Sequence, residues 1–231
     1  MKFELCTDSV EGAIMAADYN FTSIELCTAL SVGGLTPSFG LIQACAEHTT
    51  AEVHAMIRHK EGEFAYDDRD IELMKHDILA VHRAGGHGVV FGALNAASEV
   101  SDQNLDLVQT AQNLGLKTTF HRAFDFCPEP EAAIEKLIKM GFDRLLSSGL
   151  QPKAIEGIEL LSKLQSNYGS EIQILAGSGV DENNALKFKQ SGLDYIHFTS
   201  RKAKNKTMSL GMGKYQDTDQ KKIEKVHSLF I

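Results

Sequence analysis

One local pattern returns with regularity along this chain: a short run of aliphatic and β-branched residues, a polar turn, and a stretch with helical spacing of apolar residues. It occurs eight times. Candidate strands begin at Phe3, Ser23, Val53, Gly88, Lys117, Asp143, Ile172 and Asp194. The intervening helices are expected from Val10 to Ala17, Ser38 to Glu47, Asp68 to Ala84, Asp102 to Leu114, Pro130 to Met140, Pro152 to Asn167, Glu182 to Ser191 and Asp219 to Leu229. Eight βα units in series close most naturally into an α/β barrel of the (β/α)8, or TIM, type. The rival is an open doubly wound sheet, which would usually carry a GxGxxG-like first turn, absent here. The 231 residues, 43% of them hydrophobic, suffice for one sizeable core. A lean barrel of about 250 residues fits that length, so a single domain over residues 1–231 is expected.

Several helix boundaries carry physical markers. Pro37-Ser38, Pro128-Glu129-Pro130 and Asp181 supply fixed φ or a capping oxygen at helix starts. Gly85, Gly115, Gly141 and Gly192 fall just past helix ends, where a left-handed cap favours a residue without Cβ. Irregular stretches are expected at 28–37, 58–67 and 202–218; the first two follow strands and would overhang the mouth of a barrel as lids.

The formal net charge of −8 opposes a nucleic-acid footprint. The basic run Arg201-Lys202-Ala203-Lys204-Asn205-Lys206 is local and reads as a solvated loop. Glu4 and Asp8 fall where a signal peptide needs an apolar stretch, and no run is long and apolar enough to cross a membrane. These features predict a cytoplasmic protein with four reduced cysteines, none in a CxxC pair.

Strand side chains alternate between faces. If Phe3 and Leu5 face the helices, Glu4 and Cys6 enter the lumen. By the same rule Glu25 and Cys27 enter from the second strand, His54, Met56 and Arg58 from the third, Thr119 and His121 from the fifth, and His197 and Thr199 from the eighth. Barrel lumens are usually filled by Val, Ile and Leu, so this polar set is unusual. Buried charges cost several kcal/mol unless paired. One reading is structural: Glu4 and Glu25 neutralise Arg58 and the histidines in an ion-pair network. The other is a functional site.

Particular strings point to a family. Glu4-Leu5-Cys6, Ile24-Glu25-Leu26-Cys27, Gly33-Gly34-Leu35-Thr36-Pro37-Ser38, Glu61-Gly62-Glu63-Phe64-Ala65-Tyr66, Thr119-Phe120-His121-Arg122-Ala123-Phe124-Asp125 and Leu146-Ser147-Ser148-Gly149 resemble the CutC family across essentially the whole chain, with a divergent C-terminal tail. The chain departs from that pattern at His59-Lys60, where Pro-Arg is usual, and at Ser178, where Gly or Ala is common. The resemblance implies a (β/α)8 barrel, a role in copper homeostasis, copper(I) as the bound ion, Cys6 and Cys27 as its ligands, and a homo-oligomer, dimer or tetramer.

Two functions are therefore open. Copper(I) favours soft thiolate and thioether donors. Cys6 and Cys27 share a layer on neighbouring strands about 4.8 Å apart, with Met56 on the next strand as a third soft donor. Buried cysteines also pack simply as small hydrophobes, which is how Cys45 and Cys127 read. The alternative is catalysis on a small anionic, phosphate- or carboxylate-bearing metabolite. Standard phosphate barrels use the loops after strands seven and eight. Here those loops place Gly177, Ser178 and Gly179 beside Thr199 and Ser200. Glu25 would then act as general acid or base with His121 as counterpart. Arg58 and Arg122 would clamp the anion, and Asp125 would orient Arg122 or His121. Asp181 competes with this reading, because it can cap the following helix and occupy the donors itself.

Overall fold

The structure, a computed structural model, describes residues 1–203 and 216–231. Eight parallel strands close into a barrel in sequence order: β1 (Lys2–Thr7), β2 (Ser23–Leu26), β3 (Glu52–Met56), β4 (Gly88–Phe91), β5 (Lys117–Phe120), β6 (Arg144–Ser147), β7 (Gln173–Gly177) and β8 (Tyr195–Thr199). Closure is made by β1, which pairs Glu4 with Ser23 on one side and with His197 on the other. Every strand begins within one residue of its expected start. The helices are α1 (Val10–Asp18), α2 (Phe39–His48), α3 (Asp68–Arg83), α4 (Asn104–Asn113), α5 (Pro130–Met140), α6 (Ile158–Tyr168), α7 (Ala185–Gln190) and α8 (Gln220–Ser228). Between β8 and α8, β9 (Arg201–Ala203) pairs antiparallel with β10 (Gln216–Thr218). Arg201 and Lys202 of the basic run thus belong to a small ribbon rather than a loop, and Arg201 pairs with Asp8 at 3.2 Å. Lys204, Asn205 and Lys206 lie outside the described residues.

The alternation holds where it was read. Phe3, Leu5, Ile24, Leu26, Val53, Phe120 and Ile196 join the large core between strands and helices. Each such aliphatic side chain contributes about 1.5–3 kcal/mol by leaving water. An aromatic cluster seals the β1 side: the Phe3 ring lies 5.3 Å from both Phe21 and Phe230. Facing the lumen, by contrast, Cys6, Cys27, Met56 and Val90 form a separate small cluster, and Leu146, Leu175 and Tyr195 form another.

Local chemistry sets the helix ends. The Ser38 hydroxyl accepts from Leu41 N–H at the start of α2. Asp67 and Asp70 form a reciprocal capping box on α3. Pro130 opens α5, and Gly141 ends it at φ 87°, as the left-handed cap requires. Two helices start later than their sequence markers suggest. α6 begins at Ile158 rather than Pro152, because residues 149–157 fold back so tightly that a Cβ on Gly157 would lie 2.2 Å from the Ser148 carbonyl oxygen. α7 begins at Ala185 rather than Glu182: the Asp181 carboxylate accepts from Asn183 N–H and the Asn184 amide oxygen from Asp181 N–H, so an Asx-type turn satisfies the backbone first. Among the described residues no helix is long and apolar enough to cross a membrane.

Candidate functional site

The lumen is polar in two stacked layers. In the lower one Glu4, 1% exposed, accepts from Ser23 Oγ at 2.6 Å and from Arg144 Nη2. Arg144, itself 3% exposed, also donates through Nη1 to His54 Nδ1 at 2.7 Å. His54 then carries its proton on Nε2, which reaches Glu52 Oε2 at 3.2 Å, and Glu52 pairs with Lys117 at 2.6 Å at the barrel's lower rim. Burial, reinforced by the neighbouring Arg144, lowers the His54 pKa and keeps the ring neutral. Burial alone would raise Glu4, but Arg144 and His197 hold its carboxyl well below the usual carboxylate range. Sequence reasoning does not single out Arg144. The signal was available: alternation along Arg144-Leu145-Leu146-Ser147 would send Arg144 and Leu146 inward.

The upper layer brings the two predicted thiols together. One ligand atom each from Cys6, Glu25 and Cys27 lies within 4.8 Å of the others, all buried. Cys27 Sγ lies 3.5 Å from Glu25 Oε2. His197 bridges the layers, with Nδ1 3.0 Å from Glu4 Oε1 and Nε2 3.7 Å from Glu25 Oε2. The Cys6 thiol is pulled down to about 5, first by the Cys27 hydrogen bond and then, against burial, by His197. Cys27 is pushed well up because its proton serves Cys6, with burial adding to the shift. Burial raises Glu25 to about 8. Burial opposes the protonation of His197, but Glu25, Cys6 and Glu4 together raise its pKa well above the usual imidazole range. Near neutral pH the layer therefore holds a Cys6 thiolate beside a His197 imidazolium. Met56 joins the two cysteines in one buried cluster, and the loop after β2 descends over them at Gly34, φ 93°, where a Cβ would sit 3.1 Å from Cys27 Sγ. Cys45 and Cys127 lie apart from this cluster in the outer core.

Above the thiols opens a cavity of about 330 Å³. The two stretches expected as lids form part of its wall through Leu30, Val32, Gly33 and Phe64. Arg58 ties them together: it donates to the Val32, Gly34 and Gly62 carbonyls at 2.8, 3.1 and 3.0 Å and lies over the Phe64 ring. Its two Nη groups are thus engaged in loop architecture rather than held free as an anion clamp. His121 lines the cavity, and burial, with Arg58 nearby, lowers its pKa to about 3. It is a neutral hydrogen-bonding group, poorly suited to the acid–base role expected of it. Arg122 pairs with Asp125 at 2.8 Å and Ser148 Oγ at 2.9 Å. Asp125 also accepts from Ser147 Oγ, the Ser148 hydroxyl and N–H, and Leu150 N–H, so it anchors the loop after β6.

The expected anion turn is less open than its sequence suggests. Ser178 and Gly179 reach the cavity wall, as does Thr199, whereas Gly177 faces Leu146 and His197. The Ser178 hydroxyl donates to the Pro152 carbonyl at 2.8 Å. Ser200 is buried, and its carbonyl accepts from Asp219 N–H. The six-residue α7 begins beyond an Asx-type turn that uses the N–H groups of Asp181 and Asn183.

Comparison with known proteins agrees with this architecture. Residues 1–202 match the model of the CutC family. Relatives named CutC from Vibrio campbellii and Glaesserella parasuis are 41% and 39% identical over 202 residues, 87% of this chain and 82–83% of theirs. A structure provisionally described as the copper homeostasis protein CutC of Streptococcus agalactiae superposes with TM-score 0.80 at 28% identity, covering 86% of this chain and 98% of that one. A thiamine phosphate pyrophosphorylase from Pyrococcus furiosus shares only the fold, with TM-score 0.61 at 16% identity. With a closed eight-stranded barrel, paired strand-end thiols and a family match over nearly its full length, the chain belongs to the CutC family.

Proposed function

We propose that the protein binds copper(I) as cargo at Cys6 and Cys27, in keeping with the copper homeostasis role named for its streptococcal relative. The observation that carries this reading is the convergence of two buried sulfurs and the Glu25 carboxyl within 4.8 Å. Copper(I) is soft and accepts two or three sulfur donors, whereas hard cations would want a shell of oxygens that this site lacks. Cys6 offers a thiolate already formed. Cys27 gives up its proton on binding, so affinity rises with pH. Met56, in the same buried cluster as both cysteines, supplies the third soft donor. A reducing cytoplasm keeps the pair as thiols and copper in its monovalent state.

The test is an anaerobic competition titration with a copper(I) chelator. Wild type should take up one ion, and Cys6→Ser/Cys27→Ser should lose affinity by roughly 100-fold or more, since both soft donors are replaced by hydroxyls. Cys45→Ser/Cys127→Ser should behave as wild type. Equal affinity in wild type and the Cys6/Cys27 variant, with both folded by circular dichroism, removes these thiols from the function.

A further inference from the structure

The cavity above the thiols has features that copper binding does not use. Three buried polar atoms of residues on its wall have no partner: His121 Nε2, Glu25 Oε1 and Arg58 Nε; the first two carry the inference. His121 and Glu25 are each 4% exposed, and buried polar groups are rarely left unpaired without a role. The Nδ1 of His121 accepts from Ala123 N–H, so its proton resides on Nε2 as an unused donor. Glu25 is the sole carboxyl among the lining residues described, beside the Cys6 thiolate and the cations Arg58, Arg122, His197 and Lys222. Apolar surfaces of Leu30, Val32, Phe64 and Phe126 complete the mouth. Phe126 is 63% exposed, unusual for so large an apolar ring. A concave, largely apolar pocket with a few convergent polar groups is the usual form of a small-molecule site.

We propose that this cavity binds a small hydroxylated organic anion, a short hydroxycarboxylate or polyol phosphate. Its hydroxyl meets Glu25, and its anionic group lies toward His121, Arg122 and Lys222. An anion is selected because Arg58, Lys222 and the His197 imidazolium, with Arg122 paired to Asp125, outnumber Glu25 and the Cys6 thiolate on the wall. A hydroxyl suits Glu25 because it can donate or accept. The cations lining the cavity, rather than the turn at 177–179, seat the anion: the Ser178 hydroxyl is already given to the Pro152 carbonyl, and Asn184 and Asp181 take the N–H groups of Asp181 and Asn183. The site uses neither sulfur, so it stands whether or not the thiols bind copper.

The experiment follows the melting temperature of the metal-free, reduced full-length protein with glycerate, glycerol 3-phosphate, inorganic phosphate, propionate or glycerol at equal millimolar concentration. At about tenfold over Kd, glycerate or glycerol 3-phosphate should raise Tm by roughly 3–5 °C, and propionate and glycerol by less than half as much. Whichever of the first two acts identifies the carboxylate or the phosphate as the anion. His121→Phe and the surface charge reversal Lys222→Glu should each abolish the shift, while Cys6→Ser/Cys27→Ser should keep it. Should His121→Phe fail to fold, Lys222→Glu decides alone. The proposal is overturned if neither hydroxylated anion stabilises wild type, if inorganic phosphate does as well as glycerol 3-phosphate, if Lys222→Glu responds like wild type, or if the cysteine variant loses the response.

Discussion

The two polar layers of the lumen are stacked in one barrel, with Glu4 and Cys6 two residues apart on β1, and differ in how their charges are matched. In the lower layer Glu4, Arg144, His54, Glu52 and Lys117 form a continuous chain in which each charge faces an opposite charge or a neutral acceptor, with Arg144 Nε alone lacking a hydrogen-bond partner. In the upper layer two thiols, a carboxyl and an imidazole share too few protons, and one carboxyl oxygen has no partner. Paired buried charges can be carried by a fold as structure. Unmatched ones cost stability, and such clusters gather where chemistry or binding occurs. The lower layer thus reads as the support of the upper one, with His197 as the link: its Nδ1 is anchored by Glu4, which fixes the direction in which Nε2 faces the thiols and Glu25.

That contrast can be broken most directly at Arg144. Arg144→Met leaves Glu4 buried without its cation and should destabilise the protein by about 3–5 kcal/mol in urea melts. Combining it with Glu4→Gln, which removes the stranded charge, should recover part of the loss. If Arg144→Met costs no more than an exposed substitution, the lower layer is not the charge-paired support described here.

A smaller effect separates the layers by pH. The folded Glu25 pKa, about 8, lies above its ordinary 4.5, so its contribution to stability is full below pH 4.5 and is lost as pH rises toward 8. The folded Cys6 pKa, about 5, lies below its ordinary 9.0, so its contribution is full above pH 9 and is lost as pH falls toward 5. Between pH 5 and 8 the two slopes oppose each other in wild type. Relative to wild type, Glu25→Gln should tilt stability upward with pH across that window and Cys6→Ser should tilt it downward, by a few kcal/mol in each case, on top of the falling contribution of the raised His197. Parallel pH profiles for the two variants would contradict the assignment of thiolate and protonated carboxyl. The least effect belongs to the lower rim, where Lys117→Gln removes a half-exposed pair with Glu52 and should cost only about 0.2–1 kcal/mol in the same melts.

Much of this was legible along the chain, and the limits of legibility are physical. Alternation put Glu4, Cys6, Glu25, His54 and His197 in the lumen because a strand's side-chain period is two and one face must be apolar. The same rule reaches Arg144 only if it is carried to the sixth strand, and Tyr195 only if it is carried back to the first residue of the eighth. It cannot say that Arg144 meets Glu4, 140 residues away in sequence. Nor could it show that Arg58 donates to three backbone carbonyls, since those carbonyls belong to loops whose path depends on their packing over the barrel mouth. The turn at 177–179 shows a related limit. Its glycines allow close approach to an anion, but Asp181 and Asn184 satisfy the neighbouring backbone first.

What the sequence by itself determined is therefore periodic and local: eight strand–helix alternations, the inward set on each strand where the period was followed, and the left-handed glycine at the end of α5. Tertiary structure alone decided partnership and protonation. Closing the barrel brought β1 against both β2 and β8, placing His197 beside Cys6, Glu25 and Glu4. A pKa depends on burial and on charges within a few ångströms, and those neighbours come from strands far apart in the chain, so only the closed barrel could make one thiol a thiolate and leave the other its proton.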